Sequence, residues 1–358
     1  MSDRAARLAQ LAAEREVDVL LVREPVNLRW LTGFSGTNGL AVVEAGGRSM
    51  FVTDFRYVER AAEEVEEAFE RREGVRDLLD GIADLLPERR PLRLGFDDAH
   101  VSVRDHGRLV AALEGVELVA AGGLVERLRA VKDAEEIERI RAAAQLADDA
   151  LRAVLEDGLA GRTEREVALA LEDAMRHRGA QRPSFASIVA AGPYGALPHS
   201  DPRDAEIPAG TLVVVDWGAE LDGYCSDCTR TFATGEVEDE AEEVYEVVRR
   251  AQEAGLGAVR AGPTGREVDA VARDAIGQAG YGERFGHGLG HGVGLEVHEE
   301  PRLSKAGETP LQAGNVVTVE PGIYLPGRFG VRIEDLVVVT DGGAEVLSSI
   351  SKDFATVA

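Results

Sequence analysis

The sequence predicts an α/β domain over residues 1–125, followed by an α+β domain over residues 126–358. Two observations carry this prediction. The chain has 358 residues, which corresponds to about two domains of roughly 150 residues each. Short apolar runs alternate with helical segments in the first part of the chain, and longer helices take over after Gly122-Gly123. We therefore expect the boundary between this glycine pair and Val131.

The first domain is predicted from short runs of aliphatic residues. Strands are expected at 18–22, 39–44 and 49–53, and an acidic helix at 57–69. Strands that interleave with helices in this way are typical of an α/β domain.

The second domain opens with a long amphipathic helix over 132–156. Its apolar residues recur at helical spacing from Ile137 to Leu155, and Gly158 follows as a stop signal. Further helices are expected at 163–178 and 238–260, and strands at 187–190, 211–217, 316–320 and 330–339.

The charge of the chain argues against several classes of partner. There are 65 acidic and 40 basic residues, a formal net charge of −25, and no run of Lys or Arg exceeds two residues. Such a chain repels nucleic-acid phosphates and anionic lipids, so we expect neither nucleic acid nor membrane as a partner. Residues 1–22 carry charges every few positions and lack the apolar core of a signal peptide. We therefore expect a cytoplasmic protein.

Cys225 and Cys228 form a C-x-x-C pair, a spacing shared by redox and zinc sites. The surrounding run 223–232 alternates like a strand, and strand residues three apart point to opposite faces. Neither a disulfide nor a zinc site is therefore favoured here.

Two hairpins each bring a pair of carboxylates together. A turn centred between Leu221 and Asp222 would place Asp216 opposite Asp227, about 5 Å apart on one sheet face. A turn centred on Gly327 would place Glu320 opposite Glu334 by the same symmetry. Carboxylates inside apolar runs are costly to bury unless a cation lies between them. The two pairs predict one shared metal site.

The segment 286–294 supplies a histidine to this site. It alternates glycine with other residues, so its backbone can approach a ligand closely, and His291 lies within it. The segment has no G-x-G-x-x-G register, which argues against a dinucleotide loop. Four carboxylates and an imidazole favour Mn²⁺, with Zn²⁺, Co²⁺ or Fe²⁺ also compatible. Two such cations about 3.5 to 4 Å apart activate a water for hydrolysis.

These residues resemble the pita-bread metallopeptidases (family M24), the group of methionine aminopeptidase, aminopeptidase P, prolidase and creatinase. The resemblance covers essentially the whole chain and implies a creatinase-like α/β domain followed by an α+β pita-bread domain. It rests on five segments, at 215–218, 226–230, 287–295, 319–324 and 331–335.

The resemblance implies a role for each site residue. The ligands of two cations would be Asp216, Asp227, His291, Glu320 and Glu334, with Asp227 and Glu334 bridging. Glu320 would also orient the attacking water, a metal-bridging hydroxide. His199 and His298 would bind the substrate carbonyl and the developing oxyanion, Arg332 would brace the carboxylates, and His287 would contact the proline side of the substrate.

Within the group, the leading domain, Arg332 and the short spacing from Glu320 to Glu334 resemble Xaa-Pro peptidases of the small bacterial type. Methionine aminopeptidases usually lack the leading domain, and creatinase does not retain the full ligand set. The predicted function is hydrolysis of the Xaa-Pro bond by an Xaa-Pro dipeptidase (prolidase). The alternatives are an aminopeptidase P acting on longer peptides and, more remotely, a non-catalytic binding module on the same fold.

Two further features bear on substrate length. Arg302 matches a prolidase-like segment and can pair with the free carboxylate of a dipeptide. The run Asp54-Phe55-Arg56-Tyr57 resembles a D-x-R-Y motif of small bacterial Xaa-Pro peptidases, where the leading domain contributes to a dimer. The resemblance thus implies a homodimer in which Asp54, Arg56 or Tyr57 binds a substrate terminus.

Overall fold

A computed structural model describes residues 3–88 and 91–357. The chain forms two compact units, Met1–Arg129 and Ala130–Ala358, which are described separately. In the part of the chain so described, no helix combines the length and the apolar character needed to cross a membrane.

The N-terminal unit is a mixed six-stranded sheet with helices. The sheet has the order β4-β3-β2-β1-β5-β6, in which β1 lies antiparallel to β2 and parallel to β5. Its strands are β1 (Val19–Val22), β2 (Gly39–Glu44), β3 (Ser49–Thr53), β4 (Glu70–Glu73), β5 (Leu92–Phe96) and β6 (Val116–Ala120). Its helices are α1 (Arg4–Glu14), α2 (Pro25–Thr32), α3 (Val58–Glu64), α4 (Val103–Ala112) and α5 (Leu124–Arg129), with a 3-10 helix at Leu78–Leu85.

The sequence patterns located the first three strands of this sheet and misjudged the next helix. The strands expected at 18–22, 39–44 and 49–53 are confirmed as β1, β2 and β3. The helix expected over 57–69 is shorter, because α3 ends at Glu64 and the chain turns back to form β4. The charged strand β4 pairs in parallel with β3 through its backbone, so its side chains gave no strand signal.

Three of the four α-helices described in the C-terminal unit begin at a capping box. The four helices are α6 (Ala134–Leu155), α7 (Glu164–His177), α8 (Asp239–Ala258) and α9 (Gly265–Gln278). Asp133, Thr163 and Thr264 each form a capping box with the glutamate three residues later. Each box pairs two backbone N–H groups that the helix leaves without partners. The first three helices match the predicted ones, whereas α9 was not predicted.

The strands of this unit form small sheets rather than one large sheet. They are β7 (Arg182–Pro183), β8 (Ile188–Ala191), β9 (Leu212–Trp217), β10 (Ala219–Leu221), β11 (Tyr224–Cys225), β12 (Cys228–Ala233), β13 (Gly290–Gly292), β14 (Glu299–Leu303), β15 (Val316–Val319), β16 (Gly322–Leu325), β17 (Phe329–Arg332), β18 (Asp335–Val339) and β19 (Ala344–Val346). Two sheets carry most of the site, one with the order β12-β9-β8 and the other with the order β14-β13-β15-β18-β19.

The register of the first acidic hairpin differs from the predicted one. Asp216 lies opposite Thr229, not opposite Asp227, because the turn is centred between Asp222 and Gly223. Asp227 is two residues before Thr229, so it occupies the diagonal position on the same face of the sheet. Here Gly218 approaches the Ser226 carbonyl so closely that a Cβ would collide with it.

The second acidic hairpin has the predicted register but two separate ladders. Val319 pairs with Asp335 and Gly322 with Arg332, so the intervening Glu320 and Glu334 stand in register. The single strand expected over 330–339 is wrong, since β17 ends at Arg332 and β18 begins at Asp335. The chain changes its partner strand at this break, and the strand-like residues on both sides of it conceal such a change.

Candidate metal centre and substrate cavity

A cavity of about 580 Å³ in the C-terminal unit gathers the residues singled out from that part of the sequence. Apolar side chains, among them Phe185 and Ile188, form another part of its wall. The predicted site residues that line it are His199, Asp216, Asp227, His287, His291, His298, Arg302, Glu320, Arg332 and Glu334.

His291 presents a lone pair to the carboxylates. Its Nδ1 lies 3.1 Å from the carbonyl oxygen of Gly292, to which it donates, so Nε2 carries no proton. This Nε2 lies 3.5 Å from Oδ2 of Asp227 and 3.4 Å from Oε1 of Glu320. Burial lowers the pKa of His291 to about 3, which keeps the ring neutral. A neutral imidazole held by a backbone acceptor is the form that binds a metal.

The two predicted bridging carboxylates lie with His291 in one buried cluster. Ligand atoms of Asp227, His291 and Glu334 are all within 4.8 Å of one another. Burial, and then the charge of neighbouring carboxylates, raises the pKa of both Asp227 and Glu334 well above the usual range. Positive charge between them would reverse this shift.

Polar atoms without partners show where cations fit. Among the residues described, Oδ1 of Asp216 and Oε1 of Glu334 are buried and accept no hydrogen bond. Unpaired buried oxygens of this kind are costly, and a divalent cation would satisfy them. The chemistry of these carboxylates and of His291 is therefore suited to binding divalent cations.

The side chains of Arg332 and Thr229 fix the orientation of the Asp216 and Glu334 carboxylates. Arg332 donates from Nη2 to Oδ2 of Asp216 at 2.6 Å and from Nε to the Thr229 hydroxyl at 3.0 Å. The Thr229 hydroxyl donates in turn to Oε2 of Glu334 at 2.7 Å. Asp216 and Glu334 are thus each held through one oxygen, and their other oxygens are left for a cation.

Glu320 is held by a second threonine. Thr318 donates from its hydroxyl to Oε1 of Glu320 at 3.2 Å and accepts from the backbone N–H of His291 at 3.1 Å. Burial raises the pKa of Glu320 to about 8. The Glu320 carboxylate therefore lies beside His291, and its role as a metal ligand and proton acceptor stays a prediction.

His287 belongs to a chain of side chains that ends at Arg332. The Tyr324 hydroxyl accepts from Nη1 of Arg332 at 3.0 Å and lies 2.9 Å from Nε2 of His287. Nδ1 of His287 lies 2.8 Å from the Gly288 carbonyl oxygen, to which it donates. Both ring nitrogens are engaged, and burial lowers the pKa of His287 to about 4. The ring therefore meets the cavity through its carbon atoms.

The remaining histidines and Arg302 lie on the more open wall of the cavity. The ring of His298 meets that of His291 edge to face, with 4.4 Å between their centroids. Burial and the nearby charge of Arg302 lower the pKa of His298. The side chain of Arg302 is 49% exposed, and its closest carboxylate is Glu300 at 3.9 Å.

Asp54, Arg56 and Tyr57 lie in the N-terminal unit, in the segment between β3 and α3. The fully buried Asp54 accepts from the Arg56 side chain at 2.8 Å through each of its oxygens. The Arg56 guanidinium holds the pKa of Asp54 well below its usual range. The Tyr57 hydroxyl lies 2.7 Å from that of Thr37. A contact of these residues with a substrate terminus stays a prediction.

Thr229, Thr318 and Tyr324 were not predicted as site residues. A signal for the threonines existed, because each lies two residues from a predicted ligand on a strand and therefore on the same face. Thr229 follows Asp227 by two residues, and Thr318 precedes Glu320 by two.

Two family profiles match this chain. The profile described as "Metallopeptidase family M24" matches residues 138–341, and the profile "Creatinase/Prolidase N-terminal domain" matches residues 4–131.

Relatives and solved structures match over nearly the full length. The chain is 36% identical to the Xaa-Pro dipeptidase of Pyrococcus furiosus, covering 99% of both chains. It resembles the structure of an Xaa-Pro dipeptidase from Bacillus anthracis with a TM-score of 0.96 and 40% identity, covering 99% of both chains. It also resembles an X-Pro aminopeptidase from Thermotoga maritima, with a TM-score of 0.89, 36% identity and the same coverage. The chain therefore belongs to metallopeptidase family M24, with the creatinase-type N-terminal domain and the pita-bread domain that its sequence predicted.

Proposed function

We propose that this protein is an Xaa-Pro dipeptidase that hydrolyses the bond before proline with two divalent cations. The observation that carries the proposal is the meeting of Asp227, His291 and Glu334 in one cavity that Arg302 also lines. The relatives named as Xaa-Pro dipeptidases support it.

In this proposal the cations are held by Asp216, Asp227, His291, Glu320 and Glu334. When bound, they would supply a water of lowered pKa and polarise the scissile carbonyl. The oxygen-rich ligand set favours Mn²⁺ among the candidate ions. Glu320 would take the proton of the attacking water, since its carboxylate is held beside His291 by Thr318.

His199 and His298 would act on the other side of the reacting carbonyl. Both are exposed to the cavity, where a donor aimed at the tetrahedral intermediate stabilises it more than the ground state. His287 would contribute a packing surface for the proline ring, because both of its nitrogens already have partners.

Arg302 supports the choice of dipeptides over longer peptides. A half-exposed guanidinium in the cavity wall can pair with the carboxylate that follows proline in a dipeptide. The second candidate is an Xaa-Pro aminopeptidase, which the likeness to the Thermotoga maritima structure favours.

The proposal extends to assembly and location. We infer a homodimer in which the segment of Asp54, Arg56 and Tyr57 reaches a substrate terminus, supported by its D-x-R-Y pattern and by the 72% exposed Phe55 within it. Two buried free thiols, Cys225 and Cys228, are compatible with a reducing compartment such as the cytoplasm.

The test is hydrolysis of Ala-Pro and of Ala-Pro-Ala by metal-stripped protein, before and after Mn²⁺ is added. Metal-dependent cleavage of Ala-Pro alone is the expected result. Cleavage of Ala-Pro-Ala would identify an aminopeptidase, and cleavage of neither peptide would favour a binding module. Asp227→Asn should remove activity, whereas Asp222→Asn in the turn of the same hairpin is the matched control.

A further inference from the structure

The segment 192–202, which we call the cavity loop, carries several residues of the cavity wall. It follows β8 and contributes Pro198, His199, Ser200, Asp201 and Pro202 to the lining. His199 is exposed to the cavity, and within residues 3–88 and 91–357 its ring makes no hydrogen bond that would fix it. Its position therefore depends on how the loop is held.

One buried carboxylate closes the base of the cavity loop. Oε1 of Glu164 accepts from the backbone N–H of Ala191 at 2.9 Å, and Oε2 accepts from that of Arg203 at 3.0 Å. These two N–H groups flank the loop on either side. Compact surface loops of this kind are defined by ends that lie close together.

The side chain of Arg203 completes the closure. It donates to Glu164 from Nε at 2.8 Å and from Nη2 at 2.5 Å. The ring of Tyr194, within the loop, stacks on the guanidinium with 3.2 Å between Cζ and the ring centroid. Glu164 is fully buried, so these charge-assisted bonds lie in a medium where they are strong.

Two further contacts tie the cavity loop to the metal centre. Arg332 donates from Nη1 to the carbonyl oxygen of Pro198 at 3.4 Å, one residue before His199. Gly330 lies so close to the Gly195 carbonyl that a Cβ would collide with it. The cavity loop is thus held at its middle by β17 and at its base by Glu164.

We propose that Glu164 is a positioning residue for His199, acting by closing the cavity loop at both ends. This inference rests on the proposed function, since it concerns the step in which His199 acts on the substrate carbonyl. Loss of the carboxylate would remove these bonds at both ends of the loop. The pairing of Ala191 with Val213 and the bond from the Arg165 N–H to the Arg203 carbonyl would remain, so the loop would loosen rather than detach and would let His199 move away from the reacting carbonyl. Misplacement of a catalytic group by about 1 Å can cost roughly a hundredfold in rate.

A double-mutant cycle on Ala-Pro hydrolysis tests the proposal. Glu164→Gln replaces one acceptor oxygen with an amide group that only donates. The glutamine side chain therefore cannot accept a hydrogen bond from both ends of the loop through separate oxygens. We expect kcat to fall at least tenfold. In the His199→Ala background, Glu164→Gln should have little further effect on kcat, because the group that it positions is already gone.

Glu166→Gln is the matched control. Glu166 is an exposed residue of the same first turn of α7, and glutamine preserves its capping box with Thr163. We expect its kcat to equal that of the wild type. If Glu164→Gln should fail to fold, Arg203→Gln leaves the two backbone bonds of Glu164 in place and should show a smaller loss with the same dependence on His199.

Amide hydrogen exchange provides a readout that needs no substrate. Exchange should accelerate in residues 192–203 of the Glu164→Gln variant and not in the Glu166→Gln variant. If the wild type is active and the double variant loses kcat by the product of the two single losses, the two residues act independently. That result would overturn the role of Glu164 and leave the proposed function intact. A wild-type protein that hydrolyses no Xaa-Pro peptide would overturn the proposed function and this role together.

Discussion

Arg332 donates to Oδ2 of Asp216 at 2.6 Å, while Oδ1 of the same carboxylate is buried without a partner among the described residues. One oxygen is therefore held by the protein and the other is left for a cation. The guanidinium fixes the rotation of the carboxylate, so that its free oxygen stays directed towards the place where a cation would bind.

Replacement of Arg332 should weaken metal binding. Arg332→Met removes the bond to Asp216, and we expect the affinity for one Mn²⁺ to fall roughly 10- to 100-fold. Arg332→Lys keeps the charge but not the planar fork, so it should lie between Met and the wild type. Mn²⁺ titration followed by electron paramagnetic resonance measures this. Wild-type affinity for both ions in Arg332→Met would contradict the prediction.

The hydroxyl of Thr229 should contribute more to metal binding than the volume of the side chain does. Thr229→Val keeps the volume but removes the donor to Glu334, so we expect Mn²⁺ affinity and kcat both to fall about tenfold. Thr229→Ser retains the hydroxyl and should remain close to the wild type. Equal losses in the valine and serine variants would show that packing, rather than the hydrogen bond, is responsible.

Arg302 should distinguish a free carboxylate from a blocked one. In Arg302→Met the KM for Ala-Pro should rise roughly ten- to a hundredfold, because a charge-assisted hydrogen bond is lost. The KM for Ala-Pro amide should hardly change, since this substrate has no carboxylate. Steady-state kinetics on the two substrates check this, and an equal rise for both would exclude Arg302 from carboxylate recognition.

Removal of metal should make stability depend on pH between about 6.5 and 8. In the metal-stripped protein the raised pKa of Glu320, about 8, means that the folded state binds more protons than the unfolded state, so stability falls as pH rises. Asp227 and Glu334 act in the same direction. The lowered pKa values of His291 and His287 act in the opposite direction, but only below their unfolded value of about 6.5.

We therefore expect the stripped protein to lose about 2 kcal/mol from Glu320 alone between pH 6.5 and 8. The Mn²⁺-loaded protein should lose less, because its carboxylates are already ionised. Thermal unfolding at several pH values, with and without Mn²⁺, measures the difference. If the difference in Tm between the Mn²⁺-loaded and the stripped protein stays constant from pH 6.5 to 8, the prediction that these carboxylates bind the cations is wrong.

A buried ion pair outside the metal centre should contribute strongly to stability. Nζ of Lys132 lies 3.0 Å from Oε2 of Glu299, and both side chains are at most 5% exposed. Lys132→Met would remove the cation that neutralises this buried carboxylate, lowering the free energy of unfolding by about 3–5 kcal/mol, although Oε1 of Glu299 would still accept from the backbone N–H of Glu296. Adding Glu299→Gln should recover part of this loss. Urea denaturation provides the measurement.

The matched control is Arg141, whose pair with Glu345 lies on the surface. Arg141→Met should change the free energy of unfolding by less than about 1 kcal/mol. If Lys132→Met and Arg141→Met lower the free energy of unfolding by similar amounts, burial does not determine how much these ion pairs contribute to stability.

Hairpin symmetry located the acidic face of the site although it misplaced one pair. The true turn centre of the first hairpin is one position later than predicted, which moves the partner of Asp216 by two residues, from Asp227 to Thr229. A shift of two residues preserves the face of a strand, so both aspartates still point to the site. The sequence could therefore predict the face without the register.

Other parts of the site could not be predicted because they depend on contacts between distant segments. Glu164, the first residue of α7, closes the cavity loop, which lies later in the chain. In the sequence this glutamate looks like any acidic residue in a first helical turn. The break between β17 and β18 depends on which strand each one pairs with. Neither feature changes the local hydrophobic pattern from which strands and helices are predicted.

The proposed metal ligands come from two separate sheets, and this division determines when the complete ligand set becomes available during synthesis. Asp216 and Asp227 belong to the region of β9 and β12, whereas His291, Glu320 and Glu334 belong to that of β13, β15 and β18. During synthesis the aspartates leave the ribosome long before the glutamates, and contacts between such distant segments form late in folding. A nascent chain that has not yet reached His291 offers only the two aspartates of the proposed set. With this proposed ligand set, the complete metal site can form only after Glu334 has been synthesised, and the ion that it takes depends on the ions present from then on.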